Sequence, residues 1–184
     1  MAKRRVAQHT TLLVIGEGAD DQAFINHMKG LYCPRGCGRS AKIEAGDGGS
    51  PGNIITTAIR AFKGVDYDRR FLVLDSDIPP SAAEVKQARS AGYQIILWSP
   101  QCLEGALLEV LGERVGEHET SQGLKARLHP RLAGAHTAVA AYAPLFPQAV
   151  LDVATNGSVV AVRGLLLGNE SAPYRLSTLV KKQI

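Results

Sequence analysis

The chain has 184 residues, 45% of them hydrophobic and 21% charged, which suits one folded α/β-sized domain with a sizeable core and excludes a disordered segment. Aromatics make up 5%, too few for a base-stacking platform, and no apolar run approaches the ~20 residues of a membrane span. The formal net charge of +4 fits a phosphate-rich partner as well as it fits a solvated surface with basic tails.

In chain order, the basic opening Met1-Ala2-Lys3-Arg4-Arg5 has no signal-type apolar stretch after it, so the expected location is the cytoplasm. Thr11 to Ile15 is a short apolar run stopped by Gly16, as a buried strand would be. Asp20 to Leu31 carries Ala23, Phe24, Met28 and Leu31 at helical spacing, with Asp20 and Asp21 suited to a helix start. Cys33-Pro34-Arg35-Gly36-Cys37-Gly38 has half the ligands of a zinc knuckle; without a second pair it reads as a Gly-rich turn with two free thiols. A weak strand around Ala41 to Ala45 precedes the Gly46–Gly52 loop, after which Asn53 is positioned to cap a helix. Phe71-Leu72-Val73-Leu74 is the strongest strand, continuous, apolar and ended by Asp75, which predicts burial on both faces of a parallel sheet. Ser81 to Ala91 reads as a helix, Tyr93 to Trp98 as a further buried strand, and Leu103 to Leu111 as an amphipathic helix ended by Gly112. Leu124 to Leu128, Thr137 to Tyr142 and Leu176 to Lys182 read as helical. The expectation is one doubly wound α/β domain over residues 1–184, with a core at about 10–112 and a helical part at about 113–184.

Ligands of open α/β sheets bind beyond the carboxyl ends of the strands, and acidic residues fall there. Glu17 follows the first strand within Gly16-Glu17-Gly18, and Asp75 and Asp77 follow the third. Alternate residues leaving a strand point the same way, so Asp75 and Asp77 are expected to face one ion. Clustered carboxylates repel unless a cation or proton compensates, and Mg²⁺ takes oxygen ligands while keeping several waters. Glu104, at a helix start, serves equally well as a further ligand or as a partner for the helix dipole. Asp21 is open to the same two readings. The five histidines are scattered, without a His-x-x-x-His pair, and read as single surface or packing residues.

At Val14-Ile15-Gly16-Glu17-Gly18-Ala19-Asp20-Asp21 and Val73-Leu74-Asp75-Ser76-Asp77 the sequence resembles the TOPRIM superfamily, and within it the RloB-like family. The loop from Gly46 to Pro51, Tyr67-Asp68 before the acidic strand, and Ser99-Pro100-Gln101-Cys102-Leu103-Glu104 extend the resemblance over nearly the whole chain. The chain departs from the family at Pro100-Gln101, where the family has Asn-Pro, and at Gly105-Ala106-Leu107, where it has Trp-Leu-Leu. The resemblance implies a TOPRIM-like Rossmannoid domain with a mostly parallel central sheet flanked by helices. It implies a nuclease acting in a prokaryotic defence or restriction-linked system. Glu17 would be general acid/base, and Asp75 and Asp77 ligands of Mg²⁺ or Mn²⁺, joined by Glu17 and Glu104.

Arg69, Arg70, Arg4 and Arg5 are the expected contacts to a nucleic-acid backbone. The alternative is a non-catalytic or regulatory metal- or nucleic-acid-binding subunit working with a partner ATPase; this chain has no Gly-x-x-x-x-Gly-Lys-Ser/Thr loop of its own. A metal-dependent glycosyltransferase would leave Gly16-Glu17-Gly18 unexplained. A haloacid-dehalogenase phosphatase needs its Asp-x-Asp on the first strand.

Overall fold

A computed structural model describes residues 9–169. Lys3, Arg4, Arg5 and the helix expected over Leu176 to Lys182 lie outside these residues.

The first half alternates strand and helix: β1 (Thr10–Gly16), α1 (Ala19–Tyr32), β2 (Arg39–Ala45), α2 (Pro51–Ala61), β3 (Arg69–Asp75), α3 (Ala82–Ser90), β4 (Tyr93–Trp98) and α4 (Leu103–Val110). The four strands form one sheet in the order β2-β1-β3-β4, and every pairing is parallel. The strand order reverses between β1 and β3, which makes the crevice at their carboxyl ends the topological switch point. The fold is therefore the α/β type expected, with an all-parallel sheet covered by helices on both faces.

Alternation along the strands divides the core in two. Leu13, Ile15, Leu72, Leu74, Ile95 and Leu97 face α2 and α3. Leu12, Val14, Phe71, Val73, Ile96 and Trp98 face α1, α4 and the C-terminal helices. The apolar runs are continuous because both faces are buried.

The second half adds α5 (Ser121–Leu128), α6 (Gln148–Asp152) and α7 (Gly157–Leu167), with 3-10 turns at His129–Arg131 and Val139–Tyr142. The helix expected over Thr137 to Tyr142 is only this second turn; Tyr142 and Phe146 instead lay their rings 5.4 Å and 5.8 Å from Phe24 of α1. The cap of α2 also differs from expectation. Ser50 is the N-cap, its Oγ accepting from Asn53 N–H at 3.3 Å, and Pro51 takes the first turn, where its missing N–H costs nothing.

Asn156 ties the two halves together. Its Oδ1 accepts from the N–H groups of Ser158 and Val159 at the start of α7. Its Nδ2 donates to Ser99 O at 2.7 Å and to Glu109 Oε2 at 2.8 Å. Asn156→Ala removes cap and bridge together, so a loss of about 2 kcal/mol is expected, read as a lower urea midpoint with an unchanged m-value.

Candidate functional site

The carboxyl ends of the strands open into a pocket lined by Glu17, Gly18, Asp20, Asp21, Gly48, Asp75, Glu104 and Lys125, with Ala19 and Leu103. Each acid owes its place to a local feature. Gly16 lets the chain turn tightly from β1 into α1: a Cβ there would sit 2.4 Å from the Asp21 Cβ. That close approach brings Asp21 under the loop. Its Oδ2 accepts from Gly18 N–H at 2.9 Å and its Oδ1 from Trp98 Nε1–H at 2.5 Å. Both oxygens are thus committed, and Asp21 is the buried brace of the β1–α1 turn. Burial pushes its pKa up to about 7, against the pull of those two donors and with help from Glu104 and Glu17.

Glu17 reaches from β1 to β3, where its Oε2 accepts from Asp75 N–H at 3.0 Å. Burial raises its pKa; the Asp75 N–H and Lys125 oppose that rise, and the Asp77 charge adds to it. Asp75 ends β3 opposite Trp98 of β4. Burial, then the charges of Asp21, Glu17, Glu104 and Asp77, push its pKa up to about 9. Its Oδ1 is buried with no hydrogen-bond partner. Buried polar atoms are nearly always paired, so an orphan oxygen facing other carboxylates marks a place for a cation or a proton.

Asp77 does not line the pocket. Its Oδ1 accepts from Ile78 N–H at 2.7 Å and its Oδ2 from Ser121 Oγ–H at 2.5 Å, on the exposed side toward α5. The expected alternation fails because β3 ends at Asp75. Ser76 and Asp77 bend away, both donating their N–H groups to the carbonyl of Gln101, at 2.7 and 3.0 Å. Among the described residues, no three of Glu17, Asp21, Asp75, Asp77 and Glu104 bring ligand atoms within 4.8 Å of one another.

Glu104 stands in the first turn of α4, 2% exposed, with its Oε1 2.8 Å from His129 Nε2. It therefore does more than face a helix dipole. Lys125 of α5 is the cation of the pocket lining. Burial opposes its charge, but Glu104, Asp75 and Asp20 outweigh burial and raise its pKa.

Arg69 and Arg70 open β3, six and five positions before Asp75, so about 17–20 Å of strand lies between them and the pocket. Arg69 lies over the Phe71 ring at 5.1 Å, and Arg70 donates to the carbonyls of Phe62 and Val65. Neither reaches a phosphate held at the acids; both stand where only a more distant part of a nucleic-acid backbone would meet them.

Two of the histidines depart from the expectation of single surface or packing residues. His27 is a packing residue, its Nε2 bonded to Phe146 O at 2.7 Å. His129 and His136, by contrast, stack at 4.3 Å with planes 10° apart, and both meet Asp20. Sequence reasoning missed these two and Lys125. The only linear signal was the spacing of Lys125 and His129 by four, which puts them on one helical face. Comparison with family models, curated proteins and solved structures finds no match.

Cys33 and Cys37 are free thiols 3.6 Å apart in the turn before β2, and no third metal ligand joins them among the described residues. No described helix is long and apolar enough to cross a membrane.

Proposed function

We propose that the protein is a Mg²⁺-dependent phosphodiester nuclease of TOPRIM type. The observation that carries this reading is the buried, unpartnered Oδ1 of Asp75 among the carboxylates of Glu17, Asp21 and Glu104 at the switch point of a parallel sheet. An all-oxygen donor set of this kind fits a hard divalent cation, with Mn²⁺ as a substitute. Asp75 and Glu17, from neighbouring strands, would hold the ion, and Glu104 stands on the α4 side of the same pocket. When bound, Mg²⁺ supplies positive charge to the scissile phosphate.

The protein's own groups do the rest. Glu17 is fixed through Oε2 by Asp75 N–H, leaving Oε1 to hold or move a proton at the attacking or leaving oxygen. Lys125 provides a charge-assisted contact to a phosphate oxygen. Asp21 positions the Glu17 loop through Gly18. The wider setting, prokaryotic defence or restriction with nucleic acid as substrate, belongs to the same reading.

The test is metal titration followed by cleavage assays on single- and double-stranded DNA and RNA, wild type beside Asp75→Ala. Cleavage is expected with Mg²⁺ or Mn²⁺ and not with chelator, and Asp75→Ala is expected to lose roughly a thousandfold, about 4 kcal/mol of transition-state stabilisation. Metal-dependent cleavage undiminished in Asp75→Ala overturns the assignment. Mg²⁺ binding without cleavage of any substrate turns it into the non-catalytic subunit acting with a partner ATPase.

A further inference from the structure

The group formed by Asp20, His129 and His136 has a different donor chemistry from the all-oxygen pocket beside it. Its members come from three separate segments: the first turn of α1, the 3-10 turn after α5, and the loop before the Val139–Tyr142 turn. Each offers one ligand atom, and the three atoms lie within 4.8 Å of one another. Asp20 uses its oxygens separately: Oδ1 is 2.6 Å from His136 Nδ1 and Oδ2 is 3.9 Å from His129 Nε2. The stacked rings turn toward this one carboxylate, and the His136 loop is held in place by Tyr142 O–H donating to His136 O at 2.7 Å. A carboxylate at a helix start accounts for Asp20 alone. It does not account for two imidazoles brought to it from distant parts of the chain.

Zn²⁺ takes imidazole nitrogen and carboxylate oxygen at about 2.0–2.2 Å, so neighbouring ligand atoms in a tetrahedral site are about 3.3 Å apart, within the spread of distances here. Imidazole donors suit Zn²⁺ and Co²⁺ and are little used by Mg²⁺. We propose that Asp20, His129 and His136 hold a divalent transition ion of the Zn²⁺/Co²⁺ class, at a site distinct from the acids around Asp75. Three protein ligands leave a fourth position open, the pattern of reactive rather than purely structural zinc sites. Two side chains join the surroundings: Glu104, against His129 Nε2 at 2.8 Å, lines the acidic pocket, and Asp20 borders that pocket as well. This site stands on its own residues and does not require the nuclease reading.

The test uses the full chain, carrying Cys33→Ser and Cys37→Ser so that this pair of thiols contributes nothing, and made metal-free. Co²⁺ is titrated with visible absorption as the readout, and Zn²⁺ by calorimetry. The parent is expected to take up one Co²⁺ with ligand-field bands of nitrogen–oxygen coordination, unaffected by excess Mg²⁺. His136→Ala is expected to weaken Co²⁺ and Zn²⁺ binding by more than about a hundredfold, because loss of a ligand exceeds the 10–100-fold cost of losing an outer-shell partner. His136 has a side chain 44% exposed, so its truncation leaves the core intact; His129→Gln gives a second, independent removal. Asp75→Asn is expected to keep the Co²⁺ site, which separates it from the acidic pocket. Equal Co²⁺ affinity in the parent and both histidine variants overturns the proposal, as does a folded parent that binds neither ion.

Discussion

Asp75→Asn is expected to raise the melting temperature of the metal-free protein by about 5–10 °C at pH 8, and to abolish the gain that Mg²⁺ gives the wild type. The Asp75 carboxyl is pushed up to about 9 by burial and by Asp21, Glu17, Glu104 and Asp77, whereas its ordinary value is 3.8. Between those two values the folded state keeps a proton that the unfolded state has released, so stability falls as pH rises. The contribution is complete below about pH 3.8 and lost as pH passes about 9. Asp21 acts in the same direction, up to about 7. Asp68, Glu113 and Glu119 have lowered pKa values and so act only below the ordinary carboxylate range, leaving the span from pH 5 to 8 to the pocket acids.

Asparagine keeps the shape of Asp75 and cannot ionise. Relief of an unpaired buried acid is worth about 2–3 kcal/mol, and 2–4 °C per kcal/mol for a chain of this size gives the stated rise. Mg²⁺ bound as proposed would, at a hundred times its dissociation constant, stabilise the wild type by about 2.7 kcal/mol, a similar shift in the same direction. Thermal melts at pH 5, 6, 7 and 8, with and without Mg²⁺, check both halves. A wild-type melting point that climbs over this range would show that Asp75 is an ordinary solvated carboxylate.

The sheet was legible because buried parallel strands carry their signal locally. Leu72, Val73 and Leu74 must all be apolar when both faces are covered, and Gly16 and Asp75 mark the ends plainly. The acids at the strand ends followed from the same reading, which also puts Arg69 and Arg70 at the other end of the strand that Asp75 ends. What escaped the sequence depends on contacts between distant segments. Asp77 turns outward because the carbonyl of Gln101 captures Ser76 and Asp77, and Ser121 takes its carboxylate. His129 and His136 meet Asp20 only because Tyr142 and Phe146 pack on Phe24 and fold the C-terminal segment back over α1. Neither periodicity nor spacing encodes such returns. The choice of Ser50 over Asn53 as a cap was a local matter, and Pro51 was its signal.

The β4–α4 corner places Glu104, and one glycine controls it. Gly105→Ala is expected to destabilise the protein by about 3 kcal/mol or more, a fall of about 6–12 °C in melting temperature. A Cβ at Gly105 would lie 2.1 Å from the carbonyl oxygen of Pro100 and 3.2 Å from Leu124 Cδ1. The backbone has little room to yield. Pro100 O already accepts from Cys102 N–H at 2.8 Å, and Gln101 sits in the left-handed region, φ 63°, with its carbonyl turned to Ser76 and Asp77. The helix must therefore move instead, carrying Glu104 off His129 and loosening Leu124, which anchors the helix bearing Lys125. Gly123→Ala is the control on the facing helix: its Cβ would meet nothing closer than Thr120 Oγ1 at 3.4 Å. It is expected to be neutral or to gain up to about 1 kcal/mol from helix propensity. Urea denaturation of the two variants side by side separates a specific collision at Gly105 from a general intolerance of helix α4 and its neighbour to added bulk. Equal midpoints for the two would mean that the corner is soft and that Glu104 is held by His129 rather than by the backbone beneath it.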